Sequence, residues 1–188
     1  MTALSKVEIC NLALARLGQN TIQSLSEASN SAYHCNTLYD PNRRSVLRRH
    51  PWGFAQKTQA LSVDATTPDD YSYRFLLPAD FIRLLALVGT TTTPDYEKRG
   101  SYLLTNESEV TIRYVYDVED TSEFDDEFVS AFAYLLASEL AIPITGDAAR
   151  QQTLYAKYIM ALTDAEQTNK SEPRKTVNRW TTYIDARN

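Results

Sequence analysis

Val110-Thr111-Ile112-Arg113-Tyr114-Val115-Tyr116 sets Val110, Ile112, Tyr114 and Tyr116 in alternation with Thr111 and Arg113. A period of two sends successive side chains to opposite faces of an extended chain, so this heptapeptide predicts a strand with one buried face. Upstream, Tyr71, Tyr73 and Phe75 alternate with Ser72 and Arg74 in the same way. Between these runs, residues 82–88 read as a more fully buried strand, and residues 96–105, with Gly100 near the middle, read as a hairpin of two short strands. The middle of the chain therefore predicts an antiparallel sheet of four or five strands.

On both sides the period changes to that of a helix. Ser5 followed by Glu8 is a capping box, after which Val7, Cys10, Ala13, Leu14 and Leu17 share one face up to Gly18. A second helical pattern runs from about residue 26 to residue 49 through Tyr33, Leu38, Val46 and Leu47, and His50-Pro51 ends it. Pro41 lies inside it and predicts a kink or break, since an interior proline costs about 3 kcal/mol. After the strands, Asp125 suits an N-cap ahead of Asp126 and Glu127. The helix it opens is apolar around most of its circumference, through Phe128, Phe132, Leu135, Leu136 and Leu140, which predicts a central position and a stop at Pro143. A last helix over residues 147–168 carries Leu154, Tyr158 and Leu162 on one stripe.

The expected fold class is α+β: a bundle of about four helices, two N-terminal and two C-terminal, with an inserted antiparallel β-sheet and an extended C-terminal tail. The expected division is a helical lobe from residues 1–55 and 120–169, a β lobe over 56–119, and a basic tail over 170–188.

Composition narrows the function classes. The chain has 188 residues, 43% of them hydrophobic, enough for an ordinary core. Its formal charge of −5 argues against a surface built mainly to hold DNA phosphates. Cys10 and Cys35 are too few for a disulfide framework and read as small buried hydrophobes. No run was expected to reach the ~18 apolar residues that a membrane span needs, which predicts a protein with no membrane partner. The tail is the exception to the acidic balance: Lys170, Arg174, Lys175, Arg179 and Arg187 face only Glu172 and Asp185, leaving −8 on residues 1–169. A basic tail on an acidic body predicts a segment that docks elsewhere, and Trp180, Tyr183 and Ile184 within it favour docking over a purely solvated end.

Several phrases spread along the chain resemble one family. They are Ile9-Cys10-Asn11-Leu12-Ala13-Leu14-Ala15-Arg16-Leu17-Gly18, Arg48-Arg49-His50-Pro51-Trp52-Gly53-Phe54-Ala55, Leu77-Pro78-Ala79-Asp80-Phe81, Val110-Thr111-Ile112-Arg113-Tyr114, and residues 128–141. Together they are similar to the head-to-tail adaptor, or tail tubular protein A, family of short-tailed bacteriophages and prophages, over roughly residues 5–168. The resemblance implies a non-enzymatic virion protein of the head-tail junction, assembled in the host cytoplasm. It implies a homo-oligomeric ring, commonly of twelve copies, with the portal protein above, a nozzle of the tail tubular protein B kind below, and DNA passing through the lumen at ejection. Pro41 and the tail depart from the family pattern. The acidic body fits a conduit that must not grip phosphates, and 12 Tyr with 2 Trp supply residue types enriched at interfaces.

Candidate sites follow. Arg174, Lys175, Arg179, Trp180 and Tyr183 are candidates for docking on portal or a neighbouring subunit. Arg43, Arg44, Arg48 and Arg49, beside His50, form the densest basic cluster. They are a candidate DNA- or partner-facing patch, against the alternative of helix-end arginines paired with acidic neighbours. Trp52 and Phe54 could stack on bases, but no alternation of basic residues surrounds them and packing is the expectation. His34, Cys35, Cys10 and His50 include zinc-ligand atom types at spacings that do not suit a helical site, so no metal or other cofactor is expected. Two rival functions remain as expectations: a DNA-binding module using the arginine cluster, and a tail-associated peptidoglycan hydrolase. The latter needs two carboxylates, and those here sit in caps, turns and charged runs such as Asp69-Asp70 and residues 123–127.

Overall fold

The computed structural model describes residues 4–66, 68–89 and 95–171. Two helices precede and two follow a block of antiparallel strands, so the fold is mixed α+β: α1 (Lys6–Arg16), α2 (Asn30–Arg49), β1 (Gln56–Ala60), β2 (Tyr73–Leu76), β3 (Phe81–Val88), β4 (Tyr96–Arg99), β5 (Tyr102–Thr105), β6 (Thr111–Tyr116), α3 (Asp126–Thr145) and α4 (Ala148–Ser171).

Local chemistry sets the helix ends. Ser5 Oγ accepts from the Glu8 N–H at 3.2 Å while the Glu8 carboxylate accepts from the Ser5 N–H at 2.7 Å, completing the capping box of α1. The other end is a Schellman closure: Gly18 at φ 67° donates to the Ala15 carbonyl and Gln19 to that of Leu14. Asp125 caps α3 by accepting from the Phe128 N–H at 2.6 Å.

Neither proline ends its helix. α2 runs unbroken through Pro41, and α3 passes Pro143 to end at Gly146, whose φ of 67° provides the left-handed cap. Proline removes one backbone donor, and a helix survives that loss when packing on both sides holds it. Tyr39, Val46 and Leu47 flank Pro41 in the core, and Leu140 and Ala141 precede Pro143. Side-chain donors also serve carbonyls near both gaps, Asn42 to Leu38 at 2.9 Å and Thr145 to Ala141 at 2.6 Å. α2 begins at Asn30 rather than near residue 26, because Ser29 takes the capping position and accepts from Ala32.

The strands form two three-stranded sheets rather than one, in the orders β1-β6-β3 and β2-β5-β4. β1, absent from the sequence expectation, pairs with β6 from Gln56 opposite Val115 to Ala60 opposite Thr111. β3 also pairs with β6 and carries two register irregularities, between Phe81 and Arg83 and between Leu84 and Ala86. In the first sheet β6 carries buried residues on both faces, whereas β1 is exposed from Lys57 to Ala60. Ile82 and Val115 join the helical core, whereas Ile112 and Tyr114 pack with Phe75 and Leu103 of the second sheet. The layers are thus helices, inner sheet and outer sheet.

α3 is the central helix and packs on α1, α2 and α4. It is also long and apolar enough to cross a membrane, contrary to the sequence expectation that no segment reached that limit. Burial accounts for its composition: Phe128, Phe132, Leu136 and Leu140 are wholly enclosed by the other elements. Leu154, Tyr158, Leu162 and Ala165 form the buried stripe of α4.

Candidate interaction groove

The two most specific phrases of the sequence meet in space. In the first, Trp52 is fully buried, donates its indole N–H to the Val46 carbonyl at 3.0 Å, and meets Phe128 edge-on at 5.3 Å. Phe54 packs beside it, also edge-on to Phe128 at 5.2 Å. Both aromatic side chains serve the core. In the second phrase, Asp80 binds three partners: Lys57 at 2.9 Å, the Tyr114 hydroxyl at 3.0 Å, and, through its carbonyl, the Asp117 N–H at 2.8 Å. Burial and the Asp80 carboxylate raise the Tyr114 pKa to about 12. Arg48, from the first phrase, donates to the carbonyl of Ile82, the residue that follows the second, at 2.7 Å.

Where they meet, a groove of about 740 Å³ opens between α2, the 77–80 turn and the β4–β5 turn. Arg44, Ser45 and Arg48 line one wall, Lys98, Gly100 and Ser101 the other, and Leu76, Leu77, Pro78, Phe81 and Ile82 lie between them. A smaller recess of about 250 Å³, lined by Ser45, Arg48, Arg49 and Arg83, adjoins it through Ser45 and Arg48. The lining of the two holds five cations and no carboxylate. Arg83 lies against α2, donating to the Arg49 carbonyl at 3.5 Å; burial first, and the nearby Arg48 charge second, lower its pKa.

Of the arginine cluster, Arg44, Arg48 and Arg49 reach this surface. Arg43 does not: it is 2% exposed, donates to the Val118 carbonyl, and pairs with Asp117 at 2.8 Å and Asp40 at 3.3 Å. It is an internal tie between α2 and the segment after β6, as an arginine surrounded by carboxylates and a carbonyl would be. Arg44 shares Asp117 at 3.5 Å but keeps more than half its side chain exposed.

The tail candidates Arg174, Lys175, Arg179, Trp180 and Tyr183 lie outside the described residues. The four histidine and cysteine residues do not converge. Cys10 and Cys35 are buried thiols in contact, and the hydrogen bond with Cys35, followed by burial, pushes the Cys10 thiol far up. His50 instead packs against Trp52 at 4.7 Å, and burial lowers its pKa. Among the described residues no group of three or more His, Cys, Asp or Glu side chains is arranged to hold a metal.

Lys98, Arg83 and the apolar floor escaped sequence reasoning. Arg83 left one signal, a charge inside the otherwise apolar Phe81–Val88. Lys98 left none, since nothing local to a hairpin tip reveals that α2 faces it.

No protein-family model matches this chain, and no curated protein matches it in sequence.

Proposed function

We propose that this protein is a structural virion subunit, the head-to-tail adaptor of a short-tailed bacteriophage. On this reading it forms a ring between portal and tail nozzle and lines part of the channel that retains and ejects DNA. The observation that carries the reading is the meeting of residues 48–55 with residues 77–81. The phrases that resemble the adaptor family are neighbours at the boundary between the helices and the strands, where Arg48 lines one groove with Leu77, Pro78, Ala79 and Phe81 and donates to the adjoining Ile82 carbonyl. The two helices on either side of the inserted strands agree with the α+β layout expected from the sequence periods.

Two further features support it. Tyr155, Ile159 and Met160 project from the outer side of α4, giving a ring subunit apolar surface for a neighbour. The carboxyl chemistry also sits poorly with the glycan hydrolase alternative. A glycosidase acid must be held protonated by an apolar setting, yet hydrogen bonds or arginine partners lower the pKa values of Glu8, Glu27, Asp64, Glu97 and Asp120. Of the acidic runs, Asp70 pairs with Arg99 at 2.9 Å and Glu123 accepts from Tyr116 at 2.7 Å.

The test is to mix the purified protein with the portal ring of the same phage and weigh the products by native mass spectrometry. A discrete complex with many copies per portal is expected. A folded chain that stays unbound at micromolar concentrations overturns the proposal.

A further inference from the structure

Among the described residues the groove between α2 and the β4–β5 turn stands open, and its chemistry is specific. Arg44 and Arg48 stand on one side and Lys98 on the other, with Leu76 and Phe81 between them. Leu76 is 53% exposed, although it sits in a strand whose neighbour Phe75 is buried. Lys98 is partly held in place, donating to the Gly100 carbonyl at 2.7 Å and lying 5.9 Å from the centre of the Phe81 ring.

We infer that this groove docks an acidic polypeptide segment, one that sets a large apolar side chain on Leu76 and Phe81 while its carboxylates reach Arg44, Arg48 and Lys98. Charge complementarity names the occupant. A groove and adjoining recess that together have five basic linings and no lining carboxylate, in a chain of formal charge −5, attract a negatively charged partner. The apolar strip then separates the two anionic classes. A nucleic-acid backbone presents a continuous row of phosphates and leaves Leu76 and Phe81 facing charge, whereas an acidic peptide can place an apolar anchor there, ringed by ion pairs. Arginine forks on α2 suit carboxylates, which they can bind with two parallel bonds. On the adaptor reading, on which only the identity of the partner rests, the segment belongs to an adjoining component of the head-tail junction.

The experiment titrates the full chain against a fluorescein-labelled octapeptide of glutamate and leucine, following anisotropy. Parallel arms use an all-glutamate octapeptide, a short DNA duplex and inorganic phosphate. Micromolar binding of the mixed peptide is expected, weakening with salt. The all-glutamate peptide should bind about tenfold less tightly, the loss of one or two buried aliphatic side chains. Lys98→Glu should weaken the mixed peptide about tenfold, and Leu76→Ser should weaken it while leaving the all-glutamate peptide unchanged. Both positions are exposed, and circular dichroism of each variant verifies folding. No binding at millimolar peptide, a duplex that binds more tightly than the peptide, or full displacement of the peptide by equimolar phosphate overturns the inference. The same variants on the portal ring separate the two readings. Wild-type assembly that Lys98→Glu leaves intact and the peptide does not inhibit sinks the groove as a junction contact and spares the adaptor. Peptide binding by a chain that never joins the portal sinks the adaptor and spares the groove.

Discussion

The helical core and the outer sheet of this protein are held by different means. Around α3, the rings of Trp52, Phe54, Phe124, Phe128, Phe132 and Tyr39 form a continuous aromatic chain, with Phe132 and Tyr39 edge-on at 4.9 Å. Almost every residue there is enclosed from all sides by two or more elements. The outer sheet rests Phe75 and Leu103 on the inner sheet, and Leu104 is buried on its other face. Its β4 strand is exposed over most of its length and meets solvent with ion pairs, Arg99 to Glu97 at 2.8 Å and to Asp70 at 2.9 Å. Exposed pairs of this kind add little, because water screens them and ordering the side chains costs entropy. The lesson is that the cohesion of the molecule lies in its helices and inner sheet, and the outer sheet is a thinner layer resting on them. The groove forms where that layer meets α2, so one of its walls belongs to the helical core and the other to the thinner layer.

The sharpest way to break this contrast is Trp52→Ala. It opens a large cavity beside Phe128 and removes the donor to the Val46 carbonyl, so denaturant unfolding should show a loss of about 4 kcal/mol. Leu103→Ala, in the thinner cluster, should cost about 2 to 3 kcal/mol. Native-state hydrogen exchange should then lose protection in β2, β4 and β5 while α3 keeps it. Equal costs, or a loss of protection spread evenly over both regions, would refute the contrast. The smallest effect concerns pH. Burial beside Trp52 depresses the His50 pKa from its ordinary value of 6.5, so the unfolded chain takes up a proton before the folded one does. Stability should be fully present above pH 6.5 and decline as the pH falls through the depressed value. A urea-midpoint series for His50→Gln should lack that decline, and a slope that persists in the variant points to a different group.

Much of the framework was legible because it depends on near neighbours in the chain. Ser5 with Glu8, Asp125 ahead of Phe128 and Gly100 at the hairpin tip each meet partners within a few residues, and their structural roles follow from spacing. β1 was not legible, because Gln56, Lys57, Thr58 and Gln59 show no apolar alternation; the strand exists through its backbone bonds to β6. The splitting of the strands into two sheets was equally hidden, since alternation in Val110–Tyr116 marks a strand without saying which layer covers each face. Of the candidate site, the run of arginines was visible, but spacing could not tell that Arg43 turns inward to Asp117 while Arg44 and Arg48 flank a groove.

By itself, the sequence determined four helices around a run of antiparallel strands, the core stripes of α1, α3 and α4, and most caps. All of these are set by periods and contacts within a turn or two of chain. Only the tertiary structure decided that Pro41 and Pro143 would be carried inside helices, because packing from distant residues outweighed a missing local donor. It alone brought Lys98 opposite Arg44 and Arg48, since charges fifty or more positions apart share a groove only after the sheets have stacked and α2 has settled against them.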